Sequence, residues 1–221
     1  MRDARTLFGL FTLVAAATCL PGCNIVGPAV VLIHGPEKTA AAHELDENRP
    51  TVVFIDDRGN RMGRRALRQT IAVVATDSLL KDADMKSMLD PKAAMIRVAG
   101  EPNGEPTDIA TLGRSLGAEV VIYATVDSFS LTPDGVTFQP NAAFRVKVID
   151  CVKSPSRIWP EEKEGHPLAV TMPQRQGEVP KTNTQANAAQ DRLAQECGER
   201  LAKIFYKHQT KSRVSDTNDR K

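Results

Sequence analysis

Five arginines crowd one short stretch of the chain: Arg58, then Arg61, Arg64, Arg65 and Arg68, the last four at i, i+3, i+4 and i+7. On a helix that spacing makes a single basic stripe. Guanidinium groups hold phosphates and carboxylates through paired hydrogen bonds, so the stripe suits an anionic surface or an acidic patch on a protein. Cations near a helix N-terminus oppose the macrodipole by about 0.3–1 kcal/mol each, which makes the placement locally unfavourable and invites a functional account. The alternative is a solvated helix face whose charge Asp56, Asp57 or Asp77 neutralises. Asp56 and Asp57 end an apolar run, where an open sheet places acid/base pairs or cation ligands. Neighbouring strand residues point to opposite faces, however, so the two carboxylates read more naturally as turn formers.

Other chemistry has little to stand on. His34, His43, His166 and His208 are scattered, with no HExxH and no Cys/His cluster at ligand spacing, so no metal is expected. There is no Gly-x-Ser-x-Gly elbow, and Asp57–Gly63 (DRGNRMG) lacks the Gly-Lys-Ser/Thr ending of a phosphate loop. Tyr123 and Phe129 read either as a stacking platform or as core. The expectation is a protein without catalytic activity and without a cofactor.

The N-terminus supplies an address. Arg2 and Arg5 precede Leu7–Leu20 (LFGLFTLVAAATCL), too short for a membrane span of about 20 residues but right for the apolar core of a secretory signal. Leu20, Gly22 and Cys23 resemble the bacterial lipobox, with Pro21 departing from the small residue usual at that place. The resemblance implies cleavage between Gly22 and Cys23 and a covalent lipid on Cys23, the membrane anchor; an ordinary signal or an uncleaved anchor is the alternative. It implies an extracytoplasmic place in a bacterial envelope facing the periplasm. There phospholipid or lipopolysaccharide phosphates, peptidoglycan carboxylates and acidic proteins are the available anions. Asn24, where enteric inner-membrane lipoproteins carry Asp, inclines the reading to the outer membrane. Setting Cys19 and Cys23 aside leaves Cys151 and Cys197, which could bridge in that compartment or remain buried thiols.

The rest of the 221 residues must position these groups. The chain is 41% hydrophobic and 25% charged, enough for one domain, and its net charge of +2 argues against nucleic acid as a partner. Residues 1–22 read as signal, 23–50 as lipidated Cys and tether (with Ala29–Ile33 as an edge strand), 51–208 as the domain and 209–221 as a disordered tail. Within the domain Thr51–Asp56 reads as a buried strand. Leu67, Ile71, Val74, Ala75 and Leu79 predict a helix over 64–81, and Lys86–Leu89 a short strand. Asp90-Pro91 opens a short helix, and Thr107 and Asp108 another that Gly117 ends. Glu119–Leu131 is the strongest strand; a Pro-Asp-Gly turn returns it to the alternating Phe144, Val146 and Val148. Short strands at Ile158-Trp159 and Leu168–Thr171 and a long C-terminal helix to about His208 complete an α/β (α+β) domain, a mixed sheet with helices packed on it in β-α-β-α-β-β-β-α order.

Leu112–Phe129 (LGRSLGAEVVIYATVDSF), followed by a hairpin and a helix ending in Ile204-Phe205, resembles the segment shared by CsgG-like curli-secretion lipoproteins, lipoprotein activators of penicillin-binding proteins and the N-terminal domain of TolB. The resemblance implies a non-enzymatic module that binds an envelope protein or assembles with its own copies. The secretion-channel members add long amphipathic hairpins, and no pair of alternating strands of about ten residues supplies them here, which disfavours a pore. A channel-like subunit, or an envelope enzyme using Asp56 or Asp57, is the alternative.

Overall fold

Thr51–Asp56 (β1) buries all six of its residues, as a β-branched run covered on both faces should. The computed structural model of the chain describes residues 38–99, 108–153, 156–173 and 179–209. Gly22, Cys23, the signal, the Ala29–Ile33 patch and the tail beyond Gln209 lie outside the described residues. The helices are α1 (Arg65–Asp82), α2 (Pro91–Ala99), α3 (Ile109–Ser115) and α4 (Asn183–Lys203). The remaining strands are β2 (Val120–Ser130), β3 (Asn141–Asp150), β4 (Arg157–Trp159) and β5 (His166–Thr171). Two further strands, Lys38–Thr39 and His208–Gln209, are two residues long.

The sheet is mixed. β1 runs parallel to β2, from Thr51↔Val120 to Asp56↔Thr125. β2 and β3 are antiparallel, with a register shift between Val126 and Ser128, and β4 and β5 both pair antiparallel with β3. Gly135 takes φ +78° in the turn between β2 and β3, where its amide donates to the Thr132 carbonyl. Lys86–Leu89, expected as a strand, contributes one bridge, Thr51↔Met88, because α2 starts at Pro91 and leaves no length for a ladder.

Alternation along the strands separates two cores. Val53, Ile55, Ile122, Ala124, Phe144 and Val146 face α1 and α4, which cover one side with Leu67, Ile71, Leu193 and Leu201. Val52, Phe54, Val121 and Ile149 face the smaller α2 and α3, through Ala94 and Leu112. Each large side chain so buried stabilises the fold by roughly 1.5–3 kcal/mol. α1 and α4 approach closely at Gly198, where a Cβ would stand 2.7 Å from Val74 Cβ and 2.8 Å from the Ile71 carbonyl oxygen.

Local chemistry sets the helix ends. The Asp108 carboxylate caps α3 by accepting the Thr111 amide at 3.0 Å, and Gly117 follows at φ +79°. The Thr182 hydroxyl caps α4 by accepting the Gln185 amide at 3.2 Å. α4 stops at Lys203, not at His208: the Ile204 and Phe205 amides donate to the Leu201 and Ala202 carbonyls, and both side chains turn into the core. The compact unit runs from Ala40 to His208, so packed chain starts ahead of Thr51. The Ala42 amide donates to the Ile204 carbonyl at 2.8 Å, the Lys86 amide to the Glu47 carbonyl at 2.8 Å, and Leu45 packs on the larger core. Residues 40–50, expected as tether, are thus part of the domain.

Candidate functional site

At the carboxyl end of β1 the chain winds into a short loop before α1. Asp57 builds it: its carboxylate oxygens accept the amides of Arg61 at 2.8 Å and Met62 at 3.0 Å, and its carbonyl accepts that of Asn60 at 3.0 Å. Asn60 (φ +49°) and Gly63 (φ +68°) take the left-handed conformations that the winding requires. Asp56 is buried and does something different. One of its oxygens lies 2.6 Å from the Tyr123 hydroxyl, which donates to it, and 2.9 Å from Arg58 Nε. Burial first, and then the bond to Asp56, push the Tyr123 hydroxyl up to about 12, so it remains a donor. The two carboxylates diverge as strand geometry dictates, and each is engaged: Asp57 on backbone amides, Asp56 on Tyr123 and Arg58.

The arginines do not form one stripe. α1 begins at Arg65, so Arg61 falls in the loop and Arg64 takes the N-cap position. Arg61 Nη1 donates to the Val126 and Asp127 carbonyls at 2.8 and 2.7 Å, tying the loop to β2 at its register shift. Arg64 Nη1 pairs with Asp191 at 2.9 Å and donates to the Asn187 carbonyl, tying the start of α1 to α4. Two of the five predicted contact residues thus also fasten neighbouring elements, Arg61 while exposed and Arg64 while half-buried. The other three, Arg58, Arg65 and Arg68, line a cavity of about 550 Å³. Among the described residues Arg58 is paired with Asp56, while Arg65 and Arg68 have no carboxylate partner. Sequence reasoning missed the apolar part of the lining, Phe54, Met95 and Val98. For Met95 and Val98 the signal was the apolar spacing within Pro91–Ala99, which does not show that these two stay partly exposed; Phe54 reads only as part of a buried strand. A second hollow of about 300 Å³ lies on the other side of Arg58, bounded by Asp56, Arg61, Tyr123 and Asp127.

Other sequence candidates fall apart in space. Cys151 and Cys197 are both free and buried, Cys151 in the core under α2 and α3 and Cys197 in the core under α1 and α4. The sheet stands between them, so of the two readings left open by the sequence the structure has the buried thiols. Burial raises the Cys151 thiol to about 11 and the Cys197 thiol to about 12. Tyr123 stacks on Phe54 at 6.1 Å, whereas Phe129 belongs to the other core, so the two make no joint platform. His43 stacks on Trp159 at 5.4 Å, His166 lies tilted against it at 4.8 Å, and burial lowers the pKa of His43. Among the described residues no helix is long and apolar enough to cross a membrane.

No family model matches the chain, and no curated protein matches it. Solved structures align at low overlap. A PelC dodecamer from Paraburkholderia phytofirmans is 13% identical, with 75% of this chain and 95% of that one covered and a TM-score of 0.41. The hypothetical protein CT253 of Chlamydia trachomatis is 15% identical over 71% and 93% of the two chains, with a TM-score of 0.40. Lipoprotein GNA1162 of Neisseria meningitidis is 9% identical over 67% and 97%, with a TM-score of 0.35. At these overlaps the reading of function rests on the chain's own residues.

Proposed function

We propose that the chain is a bacterial envelope lipoprotein, anchored through an acylated Cys23, that works without catalysis by holding an anionic component of the envelope against the loop between β1 and α1. The observation that carries this reading is the convergence of Arg58, Arg65 and Arg68 on one cavity, two of them without a carboxylate partner among the described residues. The carboxylates that an enzyme would need at the same strand end, Asp56 and Asp57, are bonded to Tyr123, Arg58 and backbone amides. Anchoring confines the domain near its target and raises the effective concentration of the encounter.

The test is crosslinking in intact cells, comparing the wild-type chain with Cys23→Ala and with Arg65→Glu/Arg68→Glu, followed by mass spectrometry of everything captured. Envelope species lost in both variants support tethered recognition. Capture that survives charge reversal at both positions would sink it.

A further inference from the structure

We propose that the cavity framed by Arg58, Arg65 and Arg68 is a phosphate-ester site. The proposal rests on the reading of this end of the sheet as a binding surface and names the chemistry of what it binds. Arg61 and Arg64 are consumed by β2 and α4, but Arg65 and Arg68 meet no carboxylate among the described residues. Asp57, also on the wall, has both carboxylate oxygens engaged by the Arg61 and Met62 amides.

A second, independent observation concerns α1. This helix of 18 residues begins at the cavity, whose wall includes Gly63 and Arg65, with no capping side chain from Arg64 and no acidic residue in its first turn. The Arg64 and Leu67 amides turn to the Met62 and Arg64 carbonyls, which leaves the Arg65 and Ala66 amides and the positive end of the macrodipole for an anion, the arrangement that favours phosphate at helix starts. Elsewhere the chain caps its helices: Asp108 serves α3 and Thr182 serves α4. At α1 it places cations where an acid would ordinarily stand.

The number of donors selects the anion. A carboxylate offers two oxygens, which one guanidinium fork can satisfy. The guanidinium groups of Arg65 and Arg68, a third at Arg58 shared with Asp56, and a helix start exceed that need and match the unbridged oxygens of a phosphate. The apolar wall selects the rest of the ligand: Phe54, Met95 and Val98 would meet a carbon substituent, and about 550 Å³ holds a phosphate with a short one attached. That chemistry is shared by a phospholipid headgroup and by a soluble phosphate ester.

The experiment uses the full chain purified in detergent and titrates it calorimetrically with inorganic phosphate, with dihexanoyl phosphatidylglycerol below its micelle threshold, and with acetate. Phosphate should bind and acetate should not, and binding should fall on the order of tenfold or more in Arg65→Ala/Arg68→Ala. Both side chains reach solvent, and circular dichroism checks that the variant is folded; Arg65→Lys/Arg68→Lys, which keeps charge but loses the fork, should bind with intermediate strength. Tighter binding of the short phosphatidylglycerol than of phosphate assigns the source to lipid, and equal binding assigns it to a soluble ester. No phosphate binding up to about 10 mM, or equal binding by the alanine variant, overturns the proposal. Cellular crosslinking and this titration fail independently: the first tests the tethered partner, the second the ligand chemistry.

Discussion

The guanidinium of Arg49, two residues before β1, lies 2.9 Å from the carboxylate of Asp150, the last residue of β3. Asp150 is 2% exposed, and Arg49 also reaches Glu119, just ahead of β2, at 2.9 Å. One side chain thus joins the ends of three strands. Burial pushes the Asp150 carboxyl upward, but the amides of Lys153 and Val152 and the Arg49 guanidinium outweigh it, and the net pKa is lowered. A carboxylate with a lowered folded pKa contributes stability above its unfolded value of about 3.9 and loses it as pH falls through the folded value. Arg49→Met should cost about 2–4 kcal/mol at pH 7, since the buried carboxylate keeps its two amide donors. Urea unfolding of both proteins at pH 7 and pH 3 checks this; the variant should lose less than the wild type on acidification.

Gly198 should resist even alanine. In an exposed helix interior Gly→Ala gains about 1 kcal/mol, but here the new methyl would press on Val74 and on the Ile71 carbonyl of α1. Overpacking of this kind costs about 1–3 kcal/mol, so Gly198→Ala should lower the melting temperature. A raised one would show that α1 and α4 can part without penalty.

Cys151 and Cys197 should be inert in the native protein. With thiols at about 11 and 12, few are ionised at pH 8, and both are buried. Site-resolved alkylation followed by peptide mapping should label neither under native conditions and both in denaturant without reductant. Labelling of neither in denaturant would mean that they are bridged after all.

The chain holds two tyrosines, and both should titrate late. Burial, followed by the bond to Asp56, takes Tyr123 to about 12; burial, followed by the charge of Asp82, takes Tyr206 to about 12. The folded pKa exceeds the unfolded value of about 10, so the contribution to stability is complete below pH 10 and fades as pH rises through 12. Tyrosinate absorbance should be absent at pH 10.5 until the protein is unfolded. Tyr123→Phe, which leaves Asp56 with Arg58 alone, should cost about 1–2 kcal/mol.

The sequence foretold those elements whose signal is local. The apolar spacing from Leu67 to Leu79 marks α1 within a residue at each end, and the Asp108 cap and Gly117 bracket α3. Continuous and alternating apolar runs separate β2 from β3 in the same way. What it misjudged depends on partners distant in the chain. What Arg61 binds is decided by the Val126 and Asp127 carbonyls, 65 and 66 residues away, and Arg64 is paired with α4. Spacing put all four arginines on one helix because it could not place the N-cap at Arg64. Residues 40–50 read as tether because Gly-poor, polar chain can be held by backbone bonds and one arginine without any apolar period to announce it. The cysteines passed every count that a sequence allows, and only the sheet between them decides the matter.

The amides of Ala42 and His43 both donate to the Ile204 carbonyl, so the chain enters the domain where α4 ends. Were the chain held through Cys23, as proposed, this would be a mechanical arrangement. Tension transmitted through Ala40 reaches those two bonds before it reaches β1. Behind them stand the His43 ring on Trp159, Leu45 on the larger core, the bonds from Lys86 to Glu47 and the clamp at Arg49, so residues 42–49 oppose a pull at several successive points. The entry segment is thus a graded restraint, which a pull loads before it loads the sheet.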